Sequence, residues 1–346
     1  MNNKRNYYFD ILRIIAMLMI IIHHIIINDF GLQSYLNGTG VILSSKQALI
    51  LMVINSFVII GVNLFFLVSG YFKIKFNLKK LISLILEVYI IFDIVTIIGI
   101  LLKFVPFNKD TILNLLFPFD LYWFLAAYVG LMVISPYLNK VIQYIKKEDK
   151  KIIIAIVLLF SLYAYRHDNG LVINGGYSLI WAIIMYVLGG LINKFELKQK
   201  KGIIIYFFTC ILFSSFVILF YKLGKSQKAW DLYKYNNIFI LLESIGLFIW
   251  VNSWNFKLEN KKVIKIITFL ATNTLMVYLL HSTCWLTILR KLSIIKLLNI
   301  GQFKIGILIL PLYAFVIYII CSLVSILYNI SIQKIINKIF KCKKVE

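Results

Sequence analysis

The chain has 346 residues, 61% of them hydrophobic and only 15% charged, with a formal net charge of +23 and a mean hydropathy of +0.90. No soluble fold of this size needs so much apolar surface, so composition excludes an ordinary globular domain and points to an all-α, polytopic membrane protein. Excess positive charge can mark a nucleic-acid binder, but here the Lys clusters are short and scattered between apolar runs. Topology accounts for them, and no nucleic-acid partner is expected.

Runs apolar enough to cross a bilayer recur about ten times. In chain order the expected spans are 8–28, 49–72, 81–102, 121–139, 152–165, 177–193, 203–221, 237–253, 265–286 and 305–328. The fifth is the weakest, being short and ending at Arg166-His167-Asp168. With the N-terminus inside, the cytoplasmic segments hold about 24 Lys/Arg against about 12 in the outer loops, which places both termini in the cytoplasm. The outer loop with Lys222, Lys225, Lys228 and Lys234 runs against that bias and is read as solvated. Lys4 and Arg5 precede the first apolar run, but no small-residue cleavage site follows, so a retained first span is expected.

The longest hydrophilic gaps are roughly 15 to 20 residues, below ordinary domain size, so residues 1–346 are expected to form one membrane domain. No internal repeat is visible. Cys210, Cys284, Cys321 and Cys342 show no CxxC or Cys/His spacing, and no metal site, disulfide framework or permanently bound cofactor is expected.

The first span carries the chain's most informative polar residues. Asp10 and Arg13 are three apart, so on a helix they share a face and can pair at the inner interface. His24 lies about 16 Å beyond Arg13 at the helical rise, which puts an imidazole at membrane depth. A neutral imidazole takes and returns a proton near neutral pH, so His24 is the candidate base; His23 points about 100° away and is read as the structural member.

The second span ends Asn63-Leu-Phe-Phe-Leu-Val-Ser69-Gly70-Tyr-Phe72, followed by Lys73, Lys75, Lys79 and Lys80. Running from outside to inside, it leaves Ser69 and Gly70 at the cytoplasmic end, where glycine permits close backbone approach and lysines can hold phosphate. The fourth span opens Leu121-Tyr122-Trp123-Phe124-Leu125 and contains Ser135-Pro136; its aromatic residues suit an outer interface. Asn63, Tyr128, Glu87, Asp93 and Glu243 are compatible with a polar cavity. The ninth segment holds Val277-Tyr278-Leu279-Leu280-His281, a second histidine in the outer half.

These residues, in this order, resemble the acyltransferase 3 family of integral-membrane acyltransferases along nearly the whole chain. The motifs are Asp10-Ile-Leu-Arg13 with His24, ten residues intervening between Arg and His; Asn63 to Phe72; Leu121 to Leu125 with Ser135-Pro136; and Val277 to His281. The resemblance implies transfer of an acyl group, usually acetyl from acetyl-CoA, to a hydroxyl of a surface or lipid-linked glycan such as a capsular or extracellular polysaccharide. It implies Asp10, Arg13 and His24 as the catalytic group, and Lys73 and Lys75, with Ser69 and Gly70, as the donor site. Lysine stands where the family commonly has arginine, which removes the planar bidentate fork. Trp123, Tyr122, Tyr128 and His281 are expected to position the acceptor. The bilayer is the expected partner and a bacterial cell membrane the expected location. The competing expectation is a polysaccharide or lipid-linked glycan exporter without acyltransfer.

Overall fold

The computed structural model describes residues 5–39, 43–166, 173–281 and 303–342. Every regular element among them is helical. In chain order these are α1 (Tyr7–His24), a π turn (Ile25–Asp29), α2 (Leu32–Leu36), α3 (Ser45–Val58), α4 (Gly61–Phe72), α5 (Leu78–Leu101) and α6 (Lys109–Leu116). There follow α7 (Trp123–Tyr144), α8 (Lys150–Arg166), α9 (Leu179–Lys194), α10 (Gly202–Lys222), α11 (Ser226–Asp231), α12 (Ile238–Asn252), α13 (Lys261–Thr272), α14 (Thr274–His281) and α15 (Phe303–Cys342).

Each of the ten expected apolar segments falls on one of these helices or on a consecutive pair. Among the described residues, six helical stretches are long and apolar enough to cross a membrane: Tyr7–Asp29, Ser45–Phe72, Leu78–Leu101, Trp123–Tyr144, Gly202–Lys222 and Phe303–Ile330. The helices α13 and α14 meet the same length and apolarity only when taken together as one span, and they are bent by 47° at their break. The apolar helices α9 and α12 are shorter, 16 and 15 residues. At the helical rise they cover about 24 and 22 Å, less than the roughly 30 Å hydrocarbon thickness. The fifth segment forms α8, of 17 residues. Residues 167–172, which follow it and include His167 and Asp168, and 282–302, which hold Cys284 and the end of the ninth segment, lie outside the described residues.

Side-chain caps fix where the helices start. Asn6 accepts from the Tyr8 amide at the head of α1, Ser44 and Gln47 form a capping box on α3, and Ser178 and Asn237 cap α9 and α12. The last two caps set the starts of α9 and α12 at Leu179 and Ile238, within two residues of the expected 177 and 237.

The helices group into two compact units. One comprises residues up to Lys75 together with Trp123–Ile267; the other comprises Phe76–Tyr122 together with the chain from Thr268. In the first, α4 crosses α9 at backbone contact. A Cβ on Gly70 would lie 1.8 Å from the Tyr186 carbonyl oxygen, and one on Gly189 would lie 2.1 Å from that of Leu67, so both positions require glycine. Lys194 caps the end of α7, its Nζ donating to the carbonyls of Ile142, Gln143 and Ile145 at 3.0, 2.6 and 2.6 Å. In the second unit α14 packs against α5 and α15. Buried tyrosines pin it and the helix before it: Tyr122 donates to the Leu279 carbonyl of α14 at 3.0 Å and Tyr318 to the Leu270 carbonyl at the end of α13 at 2.8 Å.

Candidate functional site

The site builds from the head of α1. Asp10 is buried, with a side chain 2% exposed, and is shared by two guanidiniums: Arg13 Nη1 reaches Oδ1 at 2.9 Å and Arg5 Nε reaches Oδ2 at 2.5 Å. A carboxylate at that depth needs a counter-charge, and bonds between ionised partners are the strong ones. Arg13 stands one turn along the helix, while Arg5 reaches back from before the helix start. The Arg13 guanidinium carbon also sits 5.5 Å from the centroid of Phe72, within cation–π range. Phe9, Tyr71, Phe72 and Phe248 pack ring on ring beneath this group, with Phe9 centroids 4.5, 5.0 and 5.4 Å from the other three.

Tyr128, from α7, interacts with both Arg13 and the Ser69 hydroxyl. The fold therefore gathers Asp10, Arg13, Ser69 and Tyr128, so that a tyrosine expected on the acceptor side stands beside the donor-side residues. Ser69 Oγ also donates to the Phe65 carbonyl at 2.8 Å. Gly70 is committed to the α4–α9 crossing.

Lys73 and Lys75 flank a residue whose backbone is held at both polar groups. The Ile74 amide donates to Tyr186 Oη at 2.9 Å, the Ile74 carbonyl accepts from Asn139 Nδ2 at 2.9 Å, and Tyr186 Oη donates to Asn139 Oδ1 at 2.7 Å. Lys73 itself has φ of 56°, left-handed for a residue with a side chain. Such a conformation costs of order 1–3 kcal/mol and persists where the surroundings impose it, as the clamp on Ile74 does here. Lys73 is half-buried and Lys75 exposed.

At the far end of α1, His23 is buried and its Nδ1 lies 2.6 Å from Asn55 Oδ1 on α3. His24 is half-buried, with its ring centroid 5.6 Å from that of His23. The α-helix ends at His24 and a π turn takes over, closed by the Phe30 amide on the Ile25 carbonyl at 3.0 Å. Such irregular turns recur at functional sites because they redirect the side chains beside them.

Asn63 serves packing. Its Oδ1 accepts from Trp181 Nε1 at 3.0 Å and its Nδ2 donates to the Tyr235 carbonyl at 3.1 Å. Close by, Trp123 forms a ring cluster with Tyr177 and Tyr235, with centroids 4.8, 5.5 and 4.9 Å apart. Tyr177 and Tyr235 escaped the sequence reading, since isolated tyrosines in loops carry no spacing signal. In the second unit, Tyr122 is buried and spends its hydroxyl on α14, and His281 is buried with Nδ1 2.7 Å from the Val277 carbonyl. Glu87 and Asp93 belong to that unit and Glu243 to the first. Among the described residues, no three His, Cys, Asp or Glu side chains converge as a metal site would require.

Compared with known proteins, residues 6–328 match the model of the acyltransferase 3 family, described as an acyltransferase domain. The match spans both compact units. No curated protein and no solved structure matches the chain.

Proposed function

Since the chain belongs to the acyltransferase 3 family and is thereby a membrane acyltransferase, we propose that it moves an acetyl group from cytoplasmic acetyl-CoA to a hydroxyl of a surface polysaccharide. In this reading the ten apolar segments all traverse a bacterial cell membrane, the three short helices included, with both termini in the cytoplasm. The Lys73 to Lys75 segment and Arg13 form the inner mouth that receives the anionic end of CoA. Lysine and arginine neutralise phosphate there, and Tyr128 and Ser69 supply hydroxyls beside Arg13.

His24 takes part in the chemistry by accepting the proton of the acceptor hydroxyl or the acyl group itself. The ring cluster of Trp123, Tyr177 and Tyr235 offers aromatic faces suited to a sugar. Within the second unit, Tyr122 and His281 hold α14 in shape.

The observation that carries this reading is the placement of two chemistries on one helix: an Arg13–Asp10 ion pair at its head and a histidine about 16 Å further along. The test is CoA release from acetyl-CoA by the purified protein in lipid. Wild type is expected to turn over, and His24→Ala to lose about a hundredfold or more of that rate, the scale of a lost acid–base group. Movement of lipid-linked glycan across vesicles without acetyl-CoA consumption would sink the reading and favour an exporter.

A further inference from the structure

One carboxylic acid in the first unit has no part in the roles above. Glu243, on α12, is 0% exposed, and among the described residues no nitrogen or hydroxyl hydrogen-bonds its carboxyl oxygens; only the Cys210 thiol reaches them. From α10 the Cys210 thiol and the Tyr206 hydroxyl act on it, and from the segment leading into α12 the Tyr233 hydroxyl does so. Of the other helices packed on α12, α1, α4 and α8 bring no titratable group that acts on the acid. None of the side chains that act on it is a lysine or an arginine. A carboxylate without a counter-charge in so apolar a setting would forfeit its hydration, so an acid kept there is suited to carrying a proton.

A line of polar groups leads from Glu243 toward the histidines. The Tyr233 hydroxyl donates to the Met52 carbonyl at 2.7 Å, lies 3.4 Å from Ser56 Oγ and interacts with Asn55. Asn55 Oδ1 holds His23 Nδ1, while Asn55 Nδ2 has no partner among the described residues. Unsatisfied polar atoms at both ends of a buried line are the setting in which water completes the connection.

We propose that Glu243 stores the proton of acyl transfer behind His24. The proposal rests on the acyl-transfer reading and adds the need for a store. Donor and acceptor enter from opposite sides of the membrane, so the proton released by one is wanted by the other at a different time. In the first half-reaction a His24 nitrogen bonds to the acyl carbon and the carbon–sulfur bond breaks. The departing CoA thiolate takes the Glu243 proton along the polar line, leaving an acyl-imidazolium and a carboxylate. In the second, the acceptor oxygen bonds to the acyl carbon and the carbon–nitrogen bond breaks. The hydroxyl proton then returns to Glu243. Both charges arise together and vanish together, so the interior never holds a lone charge.

The test is CoA release after mixing with acetyl-CoA, with and without acceptor. Glu243→Gln is expected to release CoA about a hundredfold more slowly than wild type from the first turnover onward, having lost the acid of the first step and the base of the second. Glu243→Asp is expected to restore turnover. Wild-type turnover in the Gln variant, or equal slowing in both variants, would overturn the proposal. A second measurement needs no variant: without acceptor, wild type should release its first CoA with no net uptake of protons from the medium. One proton taken up per CoA would also overturn it. Failure of wild type to release any CoA overturns the acyl-transfer reading itself, an outcome distinct from a failure confined to Glu243.

Discussion

At the head of α1 a buried carboxylate is shared by two guanidiniums, whereas at its end a buried imidazole is held by a neutral amide, Asn55. The difference follows from what else can solvate each group. Arg5 and Arg13 have side chains 41% and 30% exposed, so water or headgroups meet the faces that Asp10 does not. His23 has no such outlet, and an ionic partner there would bring a charge into the interior. Under the proposed function, one helix thus offers charge where an anionic donor would arrive and neutral hydrogen bonding where a proton would move.

The largest expected disruption of this contrast comes from the charged end. Asp10→Ala removes the acid that both arginines share and is expected to cost about 3 kcal/mol, the lower range for breaking a buried pair. Unfolding in detergent with increasing denaturant measures it, and a wild-type midpoint would mean that Asp10 does not hold the head of α1. At the neutral end the effect should be smaller. Asn55→Leu leaves His23 Nδ1 without its partner, at an expected cost of about 2 kcal/mol. The same unfolding series reads it, and a cost matching that of Asp10→Ala would erase the proposed distinction between the two ends.

What could be read in advance follows from distance along the chain. The Asp10–Arg13 pair was legible because helical periodicity alone puts three-apart residues on one face. Arg5 was not, because it precedes the helix and its reach to Asp10 depends on how the chain enters α1. The need for close approach at Gly70 was legible from the missing side chain, but not its neighbour Tyr186, which lies on a helix more than a hundred residues later. Asn55 holding His23, and Tyr186 with Asn139 clamping Ile74, are likewise tertiary pairings that no local pattern encodes. Asn63 shows the opposite error: a polar residue in an apolar run was compatible with a cavity, and the fold uses both ends of its amide to tie Trp181 to Tyr235. Apolar pattern put the expected segments on helices and came within two residues of the starts of α9 and α12, but not the hydrogen bonds from Ser178 and Asn237 that set those starts, because a cap depends on one side chain.

The smallest effect should separate the two arginines that share Asp10. Arg5 is the more exposed and lies outside the helix, so Arg5→Ala leaves Asp10 with the Arg13 bond and should cost under about 1 kcal/mol in stability, as solvent-exposed ion pairs do. Under the proposed function its electrostatic influence extends further than its contact, because removing a cation beside the proposed donor site weakens attraction for an anionic donor over about one Debye length. Arg5→Ala is therefore expected to raise KM for acetyl-CoA a few-fold at low salt with kcat unchanged, and the difference from wild type should shrink as salt is added. Arg13→Ala should instead lower kcat at every salt concentration, because Arg13 joins Asp10 to Phe72, Tyr128 and through it Ser69. Equal, salt-independent losses in the two variants would show that Asp10 binds its arginines as one structural unit. In that case the head of α1 would be an anchor rather than a mouth.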